Sequence, residues 1–122
     1  MTLEDHILSH SDPEPELLAK LNRDVNLRLL YPRMCSGHLQ GRILTMLTAM
    51  ISPKNALEIG TYAGYSALCI AEGLPEDGHL DTVEIDDEME EFIRARFSES
   101  PYGKKVTLHI GDCAQVLPTL GK

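Results

Sequence analysis

The hydrophobic period of this chain changes at Asn55, and that change constrains the fold more than any other feature. Before it, apolar residues return every three or four positions. Leu17, Leu18, Leu21, Val25 and Leu29 make one amphipathic stripe, with Pro13 and Pro15 ahead of it. Tyr31-Pro32 closes that stripe, because a residue before proline resists helical dihedrals. A second helix is expected from about Ser36. Its wide apolar face comprises Leu39, Ile43, Leu44, Met46, Leu47, Met50 and Ile51, with Met46 and Met50 expected in the core, and Ser52-Pro53-Lys54 ends it. After Asn55 the apolar runs are short. Ala56–Ile59 reads as a buried strand, Leu80–Ile85 as a second and Val106–Ile110 as a third. Helical stretches lie between them: Tyr65–Glu72 stopped by Gly73, an acidic helix capped by Asp86 and running to about Phe97, and a short helix ending near Leu120.

Strands alternating with helices at this spacing imply a parallel sheet, since parallel neighbours cannot be joined by a hairpin. Right-handed crossovers put the strands in the order 3-2-1, half of a doubly wound α/β fold. The expected organisation is a helical segment at 1–53 followed by an incomplete Rossmann-like unit at 54–122. At 122 residues the chain has room for one domain, at roughly 100–200 residues per domain.

Composition excludes several classes of function. Eleven Lys and Arg against nineteen Asp and Glu leave a net charge of -8, which lacks the basic face that nucleic acid requires. The apolar runs are too short for a membrane span, and Met1–His6 has no basic-then-apolar leader pattern. Cys35, Cys69 and Cys113 are odd in number and widely spaced, so free thiols in a reducing cytoplasm are expected rather than disulfides or a zinc cluster. The five histidines, His6, His10, His38, His79 and His109, have no ligand spacing, and the acids around Asp86 do not match an EF-hand.

The chemistry concentrates where the first strand meets the next helix, at Glu58-Ile59-Gly60-Thr61-Tyr62-Ala63-Gly64-Tyr65-Ser66. Gly60 allows a sharp turn, Gly64 is expected to admit a ligand, and the uncapped N–H groups of a helix start favour a carboxylate. Glu84, ending the second strand, is placed to accept two hydrogen bonds from a ribose diol. A dinucleotide fingerprint G-x-G-x-x-G would need glycine at 62 and 65, where this chain has Tyr62 and Tyr65. Glu58 would repel a pyrophosphate and attract an ammonium. These features favour S-adenosylmethionine, which carries an amino acid, a sulfonium and a ribose but no phosphate. A nicotinamide-dependent oxidoreductase fragment is the first alternative, and a non-catalytic Rossmann-like interaction module the second.

The run from Leu57 to Leu68 resembles the first motif of the cation-dependent O-methyltransferases, the group of catechol and caffeoyl-CoA O-methyltransferases and their small bacterial relatives. The likeness extends to Met34-Cys35-Ser36 with Gly41, to Thr82–Asp86, and to Gly111-Asp112-Cys113-Ala114 with Leu117-Pro118. It implies a Rossmann-like S-adenosylmethionine-dependent methyltransferase fold. Glu58 and Ser66 would hold the cofactor's amino acid end, with backbone from Gly60 and Thr61 and a contact from Ser36. Tyr62 and Gly64 complete the loop, Glu84 would bind the ribose, and Cys113 would border the adenine through its backbone. Ser36 serves equally as a plain helix cap, and Cys113 as a small buried residue. The acceptor would be a catechol-like small molecule, with a divalent cation such as magnesium in the complete enzyme. The family's metal-binding aspartates, catalytic lysine and acceptor pocket follow the segment matching Leu117–Leu120, so no catalytic or metal residue is assigned. The chain is expected to be a truncated, inactive portion, self-associating as a homodimer through its exposed first strand.

Overall fold

A computed structural model describes residues 1–120. The chain begins with α1 (Leu3–Ser9), which no apolar stripe announces. Its start is a capping box, in which the Asp5 N–H donates to Thr2 Oγ1 and the Thr2 N–H to Asp5 Oδ2. Then come α2 (Glu16–Arg28), α3 (Gly37–Ile51), β1 (Asn55–Ile59), α4 (Tyr65–Gly73) and β2 (His79–Glu84). A 3-10 turn at Asp87–Met89 leads into α5 (Glu90–Glu99), followed by β3 (Val106–Ile110) and α6 (Cys113–Val116). Asp86 caps the 3-10 turn rather than α5, its Oδ1 accepting from the Glu88 N–H at 3.0 Å.

The three strands pair in parallel in the order β1-β2-β3, as the alternation of elements predicts. Register places Glu58 beside Thr82 and Glu84 beside Ile110. Side chains alternate between faces, so Ala56, Glu58, Leu80, Thr82, Glu84 and Leu108 share one face. A single core lies on that face. Leu18, Leu21 and Val25 of α2 join Leu68, Leu80, Ile93, Phe97 and Leu108 in one cluster, so the helical segment and the strand–helix unit share their interior.

The expected buried first strand is corrected. Leu57 is 49% and Ile59 60% exposed, because among the described residues β1 has β2 as its only neighbour and its other face is bare. The apolar face of α3 is corrected as well. Met46 and Met50, expected in the core, are 55% and 75% exposed, and the buried residues of the helix are Gly41 and Thr48. The reason is a close crossing with α4. A Cβ at Gly41 would lie 2.7 Å from Cys69 Sγ, and one at Gly73 would lie 2.5 Å from the Thr45 carbonyl oxygen. Thr45 Oγ1 donates across the crossing to the Cys69 carbonyl at 2.7 Å, and Arg42 Nη2 pairs with Glu72 Oε1 at 2.6 Å. Gly73 therefore serves packing rather than a left-handed helix stop, and α3 turns its small side inward.

This crossing is testable. Gly73→Ala is expected to lower stability, because overpacking costs roughly 1–3 kcal/mol against a helix-propensity gain of under about 1. Urea unfolding gives the sign. A midpoint at or above wild type would contradict so close a crossing.

Candidate functional site

The carboxyl ends of the three strands are tied together by backbone bonds. The Gly60 and Thr61 N–H groups both donate to the Val83 carbonyl, at 2.8 and 3.1 Å, and the Gly111 N–H donates to the Glu84 carbonyl at 2.8 Å. Two cavities that share the bend at Gly60 open here. The larger, about 380 Å³, is lined by Cys35, Ser36, Glu58, Gly60, Thr61, Tyr62 and Ser66 among others. The smaller, about 170 Å³, is lined by Val83, Glu84, Gly111, Asp112 and Cys113. Ile59 and Gly60 border both. A Cβ on Gly60 would meet no atom within 4 Å, and its φ of +96° suits glycine. The bend thus offers an open backbone surface across which a ligand can lie.

Glu58 dominates the larger cavity. Its Oε2 accepts from Ser66 Oγ at 2.5 Å and its Oε1 from Thr82 Oγ1 at 2.7 Å. Behind it, Thr82 Oγ1 lies 2.6 Å from Thr61 Oγ1, and both threonines are buried. Thr82 spends its single proton on Glu58, so Thr61 donates to Thr82. Burial raises the Glu58 pKa above its ordinary value, opposed by the hydroxyls of Ser66 and Thr82 and reinforced by the charge of Glu84. A buried carboxylate held by neutral donors is short of a positive partner.

Glu84, nearly buried, sits at the mouth of the smaller cavity. Its Oε1 accepts from the Tyr62 N–H at 2.7 Å and its Oε2 from the Asp86 N–H at 3.0 Å. Each oxygen keeps a lone pair for a hydroxyl donor. The Tyr62 contact also holds a backbone conformation that costs energy, since Tyr62 has φ +50° and is not glycine. Glu84 thereby fixes the loop that covers the cavity.

One expected site residue stands outside both cavities. Gly64 lines neither cavity; its φ of +96° turns the chain into α4, and a Cβ there would lie 2.8 Å from Phe97 Cε1. The close approach its missing side chain permits in this structure is to Phe97 of α5. Ser36 makes no capping hydrogen bond at the start of α3 and instead lines the larger cavity with Glu58. Cys113 is half-buried rather than buried, and it borders the smaller cavity. Sequence reasoning named Thr82 only within the Thr82–Asp86 strand end and gave it no role of its own. Its partnership with Glu58 arises from a strand register 24 residues apart, which no local pattern encodes. Sequence reasoning missed Glu14, whose carboxylate receives the hydroxyl of Tyr65 and ties the 10–15 segment to the floor of the cavity. Among the described residues, no three His, Cys, Asp or Glu side chains are grouped as a metal site.

Comparison with known proteins places this geometry. A family model described as O-methyltransferase matches residues 8–122, and the chain belongs to that family. It is 34% identical over 104 residues to a caffeoyl-CoA O-methyltransferase of Petroselinum crispum, covering 85% of this chain and 43% of that protein. It is 36% identical over 81 residues to catechol O-methyltransferase domain-containing protein 1 of Mus musculus, covering 66% and 31%. Among solved structures, it superposes with TM-score 0.88 and 31% identity on the O-methyltransferase TomG from Streptomyces achromogenes in complex with SAM, covering 98% of this chain and 53% of that one. A Podospora anserina methyltransferase solved with SAH matches with TM-score 0.89 and 28% identity, over 98% and 52%. The chain thus spans between 31% and 53% of the length of these relatives. They bear out the Rossmann-like methyltransferase fold limited to its first three strands, and they do not favour the oxidoreductase or interaction-module alternatives.

The raised Glu58 pKa has a stability consequence of definite sign. The folded chain holds that proton more tightly than the unfolded chain, whose value lies near 4.5. The contribution of Glu58 is therefore most favourable at low pH and is lost as pH rises from 4.5 through the folded value. Glu58→Gln removes this loss, so its melting temperature relative to wild type is expected to climb across that window. A constant difference at every pH would contradict the burial of an ionised Glu58.

Proposed function

We propose that this chain is the cofactor-binding portion of an S-adenosylmethionine-dependent O-methyltransferase acting on a hydroxyl of a catechol-like small molecule. The observation that carries this reading is the pair of carboxylates flanking Gly60. Glu58, short of a cation, lies in one cavity and Glu84, with lone pairs to spare, lies in the next. An ammonium fits the first and a ribose diol the second. The uncapped start of α4 offers N–H groups to the carboxylate of the same amino acid end. Ser66 and Ser36 add hydroxyls, Gly60, Thr61 and Tyr62 supply backbone, and Cys113 borders the adenine end. When bound, the cofactor would supply a methyl group on a sulfonium.

The catechol-like acceptor is supported by the names of the caffeoyl-CoA and catechol relatives. The divalent cation that the family resemblance implies finds no group of three His, Cys, Asp or Glu ligands among the described residues. We place the chain in a cytoplasmic setting, supported by the free thiols of Cys35, Cys69 and Cys113. The proposal also includes self-association through β1. That edge carries no outward charge, since Glu58 turns to the cavity, and Leu57 and Ile59 lie bare beside it.

Isothermal titration with S-adenosylhomocysteine tests the reading. Binding is expected, with no heat from NAD, and Glu58→Gln or Glu84→Ala is expected to weaken it by about 1.5–3 kcal/mol each, the scale of hydrogen bonds to charged groups. Unchanged affinity in Glu58→Gln would remove the ammonium assignment, and in Glu84→Ala the ribose assignment. For the β1 edge, sedimentation velocity is expected to give a dimer that Ile59→Lys returns to monomer. A wild-type chain that is monomeric at high concentration would contradict this contact.

A further inference from the structure

A parallel strand with one face against helices normally fills its inward positions with apolar side chains. On β2, Leu80 conforms, yet Thr82, also fully buried, carries a hydroxyl. A buried hydroxyl costs free energy unless it is hydrogen-bonded, and a valine of the same shape would pack there without that requirement. Thr82 is satisfied on both sides, by Thr61 Oγ1 at 2.6 Å and Glu58 Oε1 at 2.7 Å. The parallel register sets Thr82 directly beside Glu58, so the contact is built from two strands rather than from a mobile loop. The Thr61 hydroxyl, buried at the bend, points the Thr82 proton toward the carboxylate by donating to the Thr82 oxygen.

We infer that Thr82 is a positioning residue for the cofactor's ammonium: its hydroxyl, oriented by Thr61, pins Glu58 Oε1 and keeps the carboxylate charged and aimed into the larger cavity. This rests on the proposed cofactor reading. It specifies that the site's charge is controlled from beneath the strand and not solely from the loop. Ser66 holds the other oxygen from α4, so the carboxylate is clamped between a helix and a strand. Of the groups facing Glu58, Glu84 opposes its ionisation. Cys35, Tyr62 and Tyr65, which line the same cavity, have raised pKa values that keep them neutral. The Thr82 and Ser66 hydroxyls are then what favour the charged form in the absence of ligand.

Two variants separate the hydroxyl from its methyl group, Thr82→Val and Thr82→Ser. Carbon-13 NMR of the Glu58 side-chain carboxyl, assigned by its absence in Glu58→Gln, follows the titration directly in the free chain. Thr82→Val is expected to move the midpoint upward by about one pH unit, the shift carried by a lost hydrogen bond to a charged acceptor, and Thr82→Ser to leave it at the wild-type value. Titration with S-adenosylhomocysteine should follow the same shift, the pH at which affinity falls moving up in Thr82→Val and returning in Thr82→Ser. If Thr82→Val matches wild type in both measurements while Glu58→Gln still loses affinity, the cofactor reading stands and the role of Thr82 is overturned. Should Thr82→Ser behave as Thr82→Val does, the methyl group is responsible and the hydroxyl assignment falls. If Glu58→Gln binds as wild type does, the reading beneath the inference fails with it.

Discussion

The structure turns on a carboxylate that is held without being neutralised. Glu58 stands at the end of β1 with Ser66 and Thr82 on its two oxygens and no cation beside it among the described residues. Burying a charge in this way is unfavourable, and burial duly raises the Glu58 pKa. A chain selected for stability alone would place an apolar residue or a paired charge there. In the proposed reading that cost is offset when the cofactor's ammonium binds beside Glu58. The rest of the strand-end architecture is braced around this carboxylate: the Val83 carbonyl gathers the bend, and Glu84 anchors the loop through the Tyr62 N–H.

Much of this is legible in the amino-acid sequence. The alternation of elements gave the parallel order, and the glycine bend with its flanking acids located both cavities. What failed to show were relations between distant segments. The pairing of Glu58 with Thr82 depends on register, and the tie from Glu14 to Tyr65 spans 51 positions in sequence. Gly64 illustrates a different limit. Its sequence position in a binding motif points to ligand approach, whereas its missing side chain makes room for Phe97.

The exposed surfaces were misread for a common reason. A wide apolar stripe on α3 and a short apolar strand at β1 both look like core when each segment is judged alone. Burial is decided by neighbours. The close α3–α4 crossing through Gly41 and Gly73 turns the small side of α3 inward, and β1 has one strand beside it among the described residues. Family membership and the share of length matched fit this picture, since the chain covers 53% of one superposed methyltransferase and 52% of another.

The most direct measurement of the central claim is a map of backbone amide shifts in nitrogen-15 NMR as S-adenosylhomocysteine is added. The amides of Gly60, Thr61, Tyr62, Ser66 and Gly111, which ring the paired cavities, should move together and saturate. Shifts confined to the separate apolar hollow lined by Leu17, Leu68 and Tyr102, or no shifts at the strand ends, would contradict it.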